Sequence, residues 1–281
     1  MDAKSHLNPT AGTTFCPSIP TAAARLDGRS CNYTTHPRPR SLLNVIRTGP
    51  YVGLQKRAPT DKNKCLTLEQ VIELVNAAAF ANSIGWQLNG ALTIRWKHSP
   101  HFTPDIWAVM QTELFNKTSA WLRRSGVQPV HVWIREKVRS EVAGEHTHAQ
   151  LWLGSQPTRL AGELASYIRR VFEFTDEGVD ISFGKFGMKT PKMRAGSMRY
   201  LLKGVDHAAF KYLPDGATFN IGSELGIGHR GTQGTILIKR AGVSENISKL
   251  ARQRSGWTET RDVEGLRRLL SGEAGGHGQS V

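Results

Sequence analysis

The chain has 281 residues, 39% of them hydrophobic, enough for one large packed domain or two small ones. Its 37 Lys and Arg against 23 Asp and Glu give a formal net charge of +14 and a pI near 10.0. That balance points to a polyanionic partner, most commonly nucleic acid, with an anionic membrane surface as the plainer competitor. No apolar run approaches the roughly 18 residues of a transmembrane helix, so no membrane span is expected. The N-terminal "MDAKSHLNPTAGTTF" lacks the basic-then-apolar order of a secretory signal. Cys16, Cys31 and Cys65 are odd in number and widely spaced, which suits neither a disulfide framework nor a zinc ribbon. A reducing cytoplasm is the expected compartment.

Residues 1–62 are rich in Pro, Thr, Ser and Arg, carry nine Lys/Arg against three Asp and show no sustained period. They read as a disordered basic arm. Residues 63–256 carry the periodic structure, and residues 257–281 read as a weak helix followed by a flexible Gly-rich tail.

The first element opens at Thr67, where "TLEQ" is a capping box, and Val71, Leu74, Val75 and Ala78 follow at helical spacing as far as Gly85. "ALTIRW" (Ala91–Trp96) is rich in strand formers. Thr103 and Pro104 predict an N-cap and first position for a helix through Ile106, Met110, Leu114 and Trp121, stopped at Gly126. "PVHVWIRE" (Pro129–Glu136) and "HTHAQLWL" (His146–Leu153) read as strands joined in a hairpin by a polar turn. An amphipathic helix follows over Arg159–Phe174, then a strand in "GVDISFG" and a helix over Arg194–Gly204. "GTILIKR" (Gly234–Arg240) suggests a further strand, and Ser244 a cap for the helix in "SENISKLARQR". The order predicts an α+β fold: a central antiparallel sheet with a β-α-β-β-α-β, split ferredoxin-like core flanked by helices. A fold of this kind assigns no function by itself.

The chemistry is concentrated in two places. His146 and His148 are two apart in a strand, so they project from the same face. They are either half of a metal site or a polar pair on the outside of a hairpin. A carboxylate would complete the former: Glu136 ends the preceding strand, while Glu141 and Glu145 are assigned to the turn. A His/His/Glu set with open positions suits a catalytic ion better than a closed structural one.

The second place is "MRYLLKG", where Tyr200 and Lys203 share a helix face. A tyrosine hydroxyl can act as a nucleophile, and a nearby ammonium can lower its pKa or neutralise a phosphate. From Ile181 to Val205 the sequence has six basic residues, Lys185, Lys189, Lys192, Arg194, Arg199 and Lys203, and no acidic one. That composition suits phosphate binding.

Together, "HTH" at 146–148, "RE" at 135–136 and "YLLK" at 200–203 resemble the motifs of the HUH endonuclease superfamily, in particular the single-tyrosine rolling-circle replication initiators of bacterial plasmids and phages. "ALTIRW" looks like the family's first-strand motif, and the resemblance covers about residues 90–204. Thr147 departs from the bulky hydrophobe the family places between its histidines. The resemblance implies that His146, His148 and Glu136 hold one Mg²⁺ or Mn²⁺ ion, which polarises the scissile phosphate of single-stranded DNA or an origin hairpin. Tyr200 would form a 5′-phosphotyrosine and free a 3′-OH, with Lys203 neutralising charge and Lys185, Lys189, Lys192, Arg194 and Arg199 binding DNA. A host helicase and polymerase would then be partners.

Other signals are set aside. "GIGHRG" (Gly226–Gly231) fits G-x-G-x-x-G but lacks the strand before and the helix after. No G-x-x-x-x-G-K-[ST] occurs, so no fused helicase motor is expected, and the ester exchange that the resemblance implies needs no nucleotide cofactor. Tyr167 is the rival nucleophile but lies on an amphipathic helix beside apolar residues, and Tyr212 lacks a lysine at i+3. His131 could point into the site but reads better as a solvent or core histidine, and Trp86, Trp96, Trp133 and Trp152 read most simply as core, with base stacking by one of them as the alternative. Competing functions are a relaxase or transposase with the same chemistry, a non-catalytic single-stranded nucleic-acid binder, and an iron oxygenase using two His and a carboxylate.

Overall fold

The computed structural model describes residues 65–137, 144–182, 190–205, 210–212, 218–228, 236 and 239–271. The basic arm, the hairpin turn with Glu141, Lys185 and Lys189 lie outside them.

Helix α1 (Leu68–Ser83) starts where its capping box predicts: the Thr67 hydroxyl accepts from Gln70 N and the Gln70 side chain accepts from Thr67 N. Strand β1 (Gly90–Arg95) stops before Trp96, which opens a 3₁₀ turn with its indole fully buried. Helix α2 (Trp107–Arg124) begins later than the Thr103–Pro104 pattern predicts. Thr103 instead accepts a turn bond through its carbonyl from Ile106 N, and the helix starts where Trp107, Met110, Gln111 and Leu114 can face the sheet.

Strands β2 (His131–Lys137) and β3 (Glu145–Leu151) form the hairpin, with Glu136 opposite His146 and Lys137 opposite Glu145. Glu145 is therefore in the strand, not the turn. Helix α3 (Pro157–Phe172), strand β4 (Val179–Ser182) and helix α4 (Pro191–Leu201) follow. The Thr190 hydroxyl caps α4 by accepting from Met193 N, and a 3₁₀ turn over Leu202–Gly204 continues it. Two short strands, β5 (Phe210–Tyr212) and β6 (Thr218–Asn220), pair with each other and precede the four-residue helix α5 (Ile221–Glu224).

The strand expected in Gly234–Arg240 lies further on. Strand β7 occupies Ala241–Val243, and the described residues Ile236, Lys239 and Arg240 are outside it. Gly242 is needed there, because a Cβ would come within 2.6 Å of the Trp133 ring. Helix α6 (Lys249–Arg254) is capped by Ser248, not Ser244, whose hydroxyl instead accepts from His131 N. Helix α7 (Val263–Ser271) buries Leu266 and Leu270 in the same core as α1. Arg252, fully buried, ties these elements together through Glu73 at 2.6 Å and Glu259 at 2.7 Å.

The main sheet is antiparallel, with strand order β4-β1-β3-β2-β7. Pleating sends alternate side chains to opposite faces, and each face has its own core. Leu92, Ile94, Ala149, Leu151 and Val179 pack against α2 and α3. Val132, Ile134 and Ala241 pack with α1, α4 and α7. The chain is thus α+β, with helices on both sides of a five-stranded sheet. Among the described residues, no helix is long and apolar enough to cross a membrane.

Candidate active site on the sheet face beneath helix α4

His146, His148 and Gln150 of β3 face the α4 side, as do Glu136 of β2 and Thr93 of β1, by the pairings Glu136–His146 and Thr93–His148. Helix α4 is anchored over this face by Gln150, whose amide donates to Ser197 Oγ at 3.1 Å. Its last turn brings Tyr200 edge-on to the His148 ring, 5.9 Å between centroids. The 3₁₀ turn that follows drives Lys203 inward, while Tyr200 stays 47% exposed.

Lys203 connects the parts. Its ammonium donates to the Tyr200 hydroxyl at 3.0 Å and lies 2.7 Å from Glu136 Oε2. The same oxygen is 3.0 Å from His148 Nε2. The sequence motifs at 136, 146–148 and 200–203 therefore meet in one place. Burial raises the pKa of the Glu136 carboxyl, but the contacts with His148 and Lys203 outweigh it and hold the pKa at about 2. Burial, with Lys203 and Arg95 adding, outweighs Glu136 and lowers the pKa of His148. The imidazole is thus neutral at neutral pH, the form that binds metals.

Two further residues belong to the site and were not singled out from sequence. Thr93 Oγ1 lies 3.1 Å from His148 Nδ1 and orients the ring. As acceptor from Nδ1–H it leaves a lone pair on Nε2; as donor to Nδ1 it leaves Nε2 a proton to share with Glu136. Arg240 is buried, its guanidinium donates to Arg135 O at 3.3 Å, and the Glu136 charge favours its protonated form. Thr93 has a sequence signal only in retrospect, as the inward residue of a strand beside the histidine strand.

Other candidates separate. Glu145 is an odd-numbered neighbour of His146 in the strand, so it faces the opposite side, where it pairs with Lys137 at 2.9 Å. His131 is also on the far face, stacked on Phe115 at 4.5 Å. Tyr167 stacks on Trp121 at 6.1 Å within the α2–α3 layer. Among the cations, Lys192 is exposed, Arg194 is partly buried, and Arg199 lies beside Gly226.

Among the described residues, no group of three or more His, Cys, Asp or Glu is gathered closely enough to hold a metal ion. Two donors nevertheless have the right relation. Nε2 of His148 and Oε2 of Glu136, the latter held by the Lys203 ammonium at 2.7 Å, are buried and in short contact. Their 3.0 Å separation matches the edge between adjacent ligands that each lie about 2.1 Å from an octahedral ion. His146 stands beside them, its ring 5.8 Å from that of His148. The donor types suit a small divalent cation, which would have to displace the Lys203 ammonium, 2.7 Å from the same carboxylate oxygen. No protein-family model, no curated protein and no solved structure matches the chain.

Proposed function

We propose that the chain is an HUH-type enzyme that nicks and rejoins single-stranded DNA, with Tyr200 as nucleophile, in the initiation and termination of rolling-circle replication. The observation that carries this reading is the contact chain Tyr200–Lys203–Glu136–His148: a half-exposed phenol bonded to an ammonium, which is bonded to a buried carboxylate beside a neutral imidazole. The strand order β4-β1-β3-β2 within the sheet supports a split ferredoxin-like core, and the net charge of +14 supports a polyanionic substrate.

In this mechanism the Tyr200 oxygen forms a bond to the scissile phosphorus as the P–O3′ bond breaks. The products are a 5′-phosphotyrosyl protein and a 3′-OH, the phenolic proton passing to solvent and the leaving oxygen taking one up. Lys203 stabilises the phenolate as it forms, because its ammonium already donates to that oxygen. His148, Glu136 and His146 would hold a Mg²⁺ or Mn²⁺ ion, which supplies Lewis-acid polarisation of the phosphate. Thr93 fixes the imidazole orientation for that role. The reaction conserves ester-bond energy, so no nucleotide cofactor is needed. The 3′-OH is a primer for a host polymerase, and duplex opening falls to a host helicase.

The test is incubation of the protein with Mn²⁺ and a labelled single-stranded oligonucleotide library, read on a denaturing gel. A covalent adduct that disappears in Tyr200→Phe and persists in Tyr167→Phe is the expected result. The reverse pattern refutes the nucleophile. Tight binding without adduct under any divalent ion makes the protein a non-catalytic single-strand binder.

A further inference from the structure

β3 carries the candidate site at one end and runs on to a second feature at the other. Trp152 follows His146, His148 and Gln150 at the same two-residue spacing and packs with the same core as Trp86. At about 3.3 Å per residue, Trp152 lies roughly 20 Å along the strand from His146. Trp86 and Trp152, both partly exposed, line a pocket of about 480 Å³ with Gln128, Ser155 and Arg159. That volume is within the range of small-ligand sites.

The pocket walls are braced. Its two loop walls touch: Gly154 has φ +68, and a Cβ there would lie 3.1 Å from a Val127 methyl. Asn89 braces the same loop, its amide donating to Gly154 O at 3.0 Å and its carbonyl accepting from Leu153 N at 2.8 Å.

Two cations directly precede the lining in sequence. Arg123 and Arg124 end α2 immediately before the lining segment 125–128; both are exposed, and neither makes an ion pair among the described residues. The nearby acid Glu163 is already taken by Arg159 at 2.7 Å.

We propose that this pocket binds one unpaired nucleobase of a single-stranded nucleic acid, stacked against Trp86 and Trp152, with the adjoining phosphates on Arg123 and Arg124. Indole faces accept any base, and free guanidinium groups select a polyanion over an apolar peptide. Gln128 offers an amide donor and acceptor to the base edge. The inference shares with the proposed function only the choice of a nucleic-acid partner; it needs neither the metal nor Tyr200.

The test measures binding of the full chain to a 15-nucleotide oligothymidylate and to an abasic strand of equal length, by fluorescence anisotropy in EDTA. Trp152→Leu and Trp86→Leu are expected to weaken oligothymidylate binding by about 5- to 100-fold and abasic-strand binding by less than about 2-fold. Arg123→Gln/Arg124→Gln, whose side chains are exposed, keeps the fold intact and lowers affinity for both strands, with a salt dependence shallower by about two phosphate contacts. The proposal is overturned if the tryptophan variants, shown folded by circular dichroism, keep the wild-type preference for bases, if the arginine pair leaves the salt slope unchanged, or if a tryptophan-containing peptide occupies the pocket while oligothymidylate does not compete. Adduct formation on a six-nucleotide strand reports the Tyr200 chemistry separately. Loss of base preference without loss of adduct, or the converse, assigns failure to one site or the other.

Discussion

Lys203→Met is the most informative single perturbation of the candidate site. The wild-type ammonium and the Glu136 carboxylate are each under a tenth exposed and 2.7 Å apart. Glu136 is held at about 2 against an ordinary 4.5, and at roughly 1.4 kcal/mol per pKa unit the ionised carboxylate is favoured by about 3 kcal/mol, shared between Lys203 and His148. A carboxyl depressed in the folded state contributes stability above its unfolded pKa, and that contribution is lost as pH falls from about 4.5 to about 2. Without Lys203 the folded pKa rises and the buried charge loses its main counter-ion, so the variant should be less stable at pH 7 by about 2–3 kcal/mol. For a domain of this size that is roughly 4–12 °C in Tm. A divalent ion that uses Glu136 must compete with the ammonium in the wild type but not in the variant. Mn²⁺ at a hundredfold excess over its Kd stabilises by about 2.7 kcal/mol, so it should restore most of the lost Tm in Lys203→Met and raise the wild type less. The double variant Glu136→Gln/Lys203→Met should not respond. Thermal melts in EDTA and in MnCl₂ measure this. Equal Tm values for wild type and Lys203→Met in EDTA, or equal Mn²⁺ shifts, refute the reasoning.

Three other outcomes follow from buried groups away from the nucleophile. Thr147→Val should lose about 1–3 kcal/mol in urea unfolding, because Trp96 Nε1, 2.8 Å from Thr147 Oγ1, loses its acceptor, whereas Thr147→Ser should retain most of the stability. His131 is buried and its pKa is lowered to about 4 from 6.5 by burial. Its neutral form supports the fold fully above about pH 6.5 and less as pH falls towards 4. His131→Phe, which keeps the stack on Phe115, should remove about 2 kcal/mol of the stability difference between pH 7 and pH 5, measured by urea unfolding at each pH. Arg252→Met strands Glu73 and Glu259 and should cost about 3 kcal/mol, releasing α6 and the following segment to early hydrogen exchange.

Most of the element order was legible because it rests on local physics: the Thr67 capping box, the period-two strands and the amphipathic α3 are written in neighbouring residues. The choice between Glu136 and Glu145 was legible in principle. Once β3 begins at Glu145, pleat parity turns that residue away from His146 and leaves Glu136 on the histidine face. Thr93 and Arg240 were not legible, since Thr93 meets His148 across 55 residues of sequence and Arg240 comes near Glu136 only through the pairing of β2 with the distant β7. The displaced strand β7 has a related cause. Arg240 reads as a strand residue by its neighbours, but it is buried and its guanidinium bonds to Arg135 O, ahead of the ladder that starts at Ala241.

Thr147 explains how the two faces of β3 depend on each other. Its side chain is fully buried on the face opposite the histidines, accepting from Trp96 Nε1 at 2.8 Å and donating to Gln111 Oε1 at 3.0 Å. Gln111 Oε1 also accepts from Arg135 Nε at 2.5 Å, and the Arg135 guanidinium lies over Trp107 and Trp133 at 5.6 and 5.4 Å. This network joins the end of β1, β3, β2 and α2 directly beneath the face that carries Thr93, the histidines and Glu136. A slip of one residue in either pairing would turn every one of those donors to the wrong face. A bulky hydrophobe at position 147 would fill the same space but tolerate such a slip, because dispersion contacts have no fixed partner. Hydrogen bonds between buried groups are directional, and leaving them unmade is costly, so the polar residue at 147 pins the register on which the opposite face depends. Thr147 thus trades apolar packing for directional bonds, and these fix the alignment of His146 and His148 with Glu136 on the opposite face.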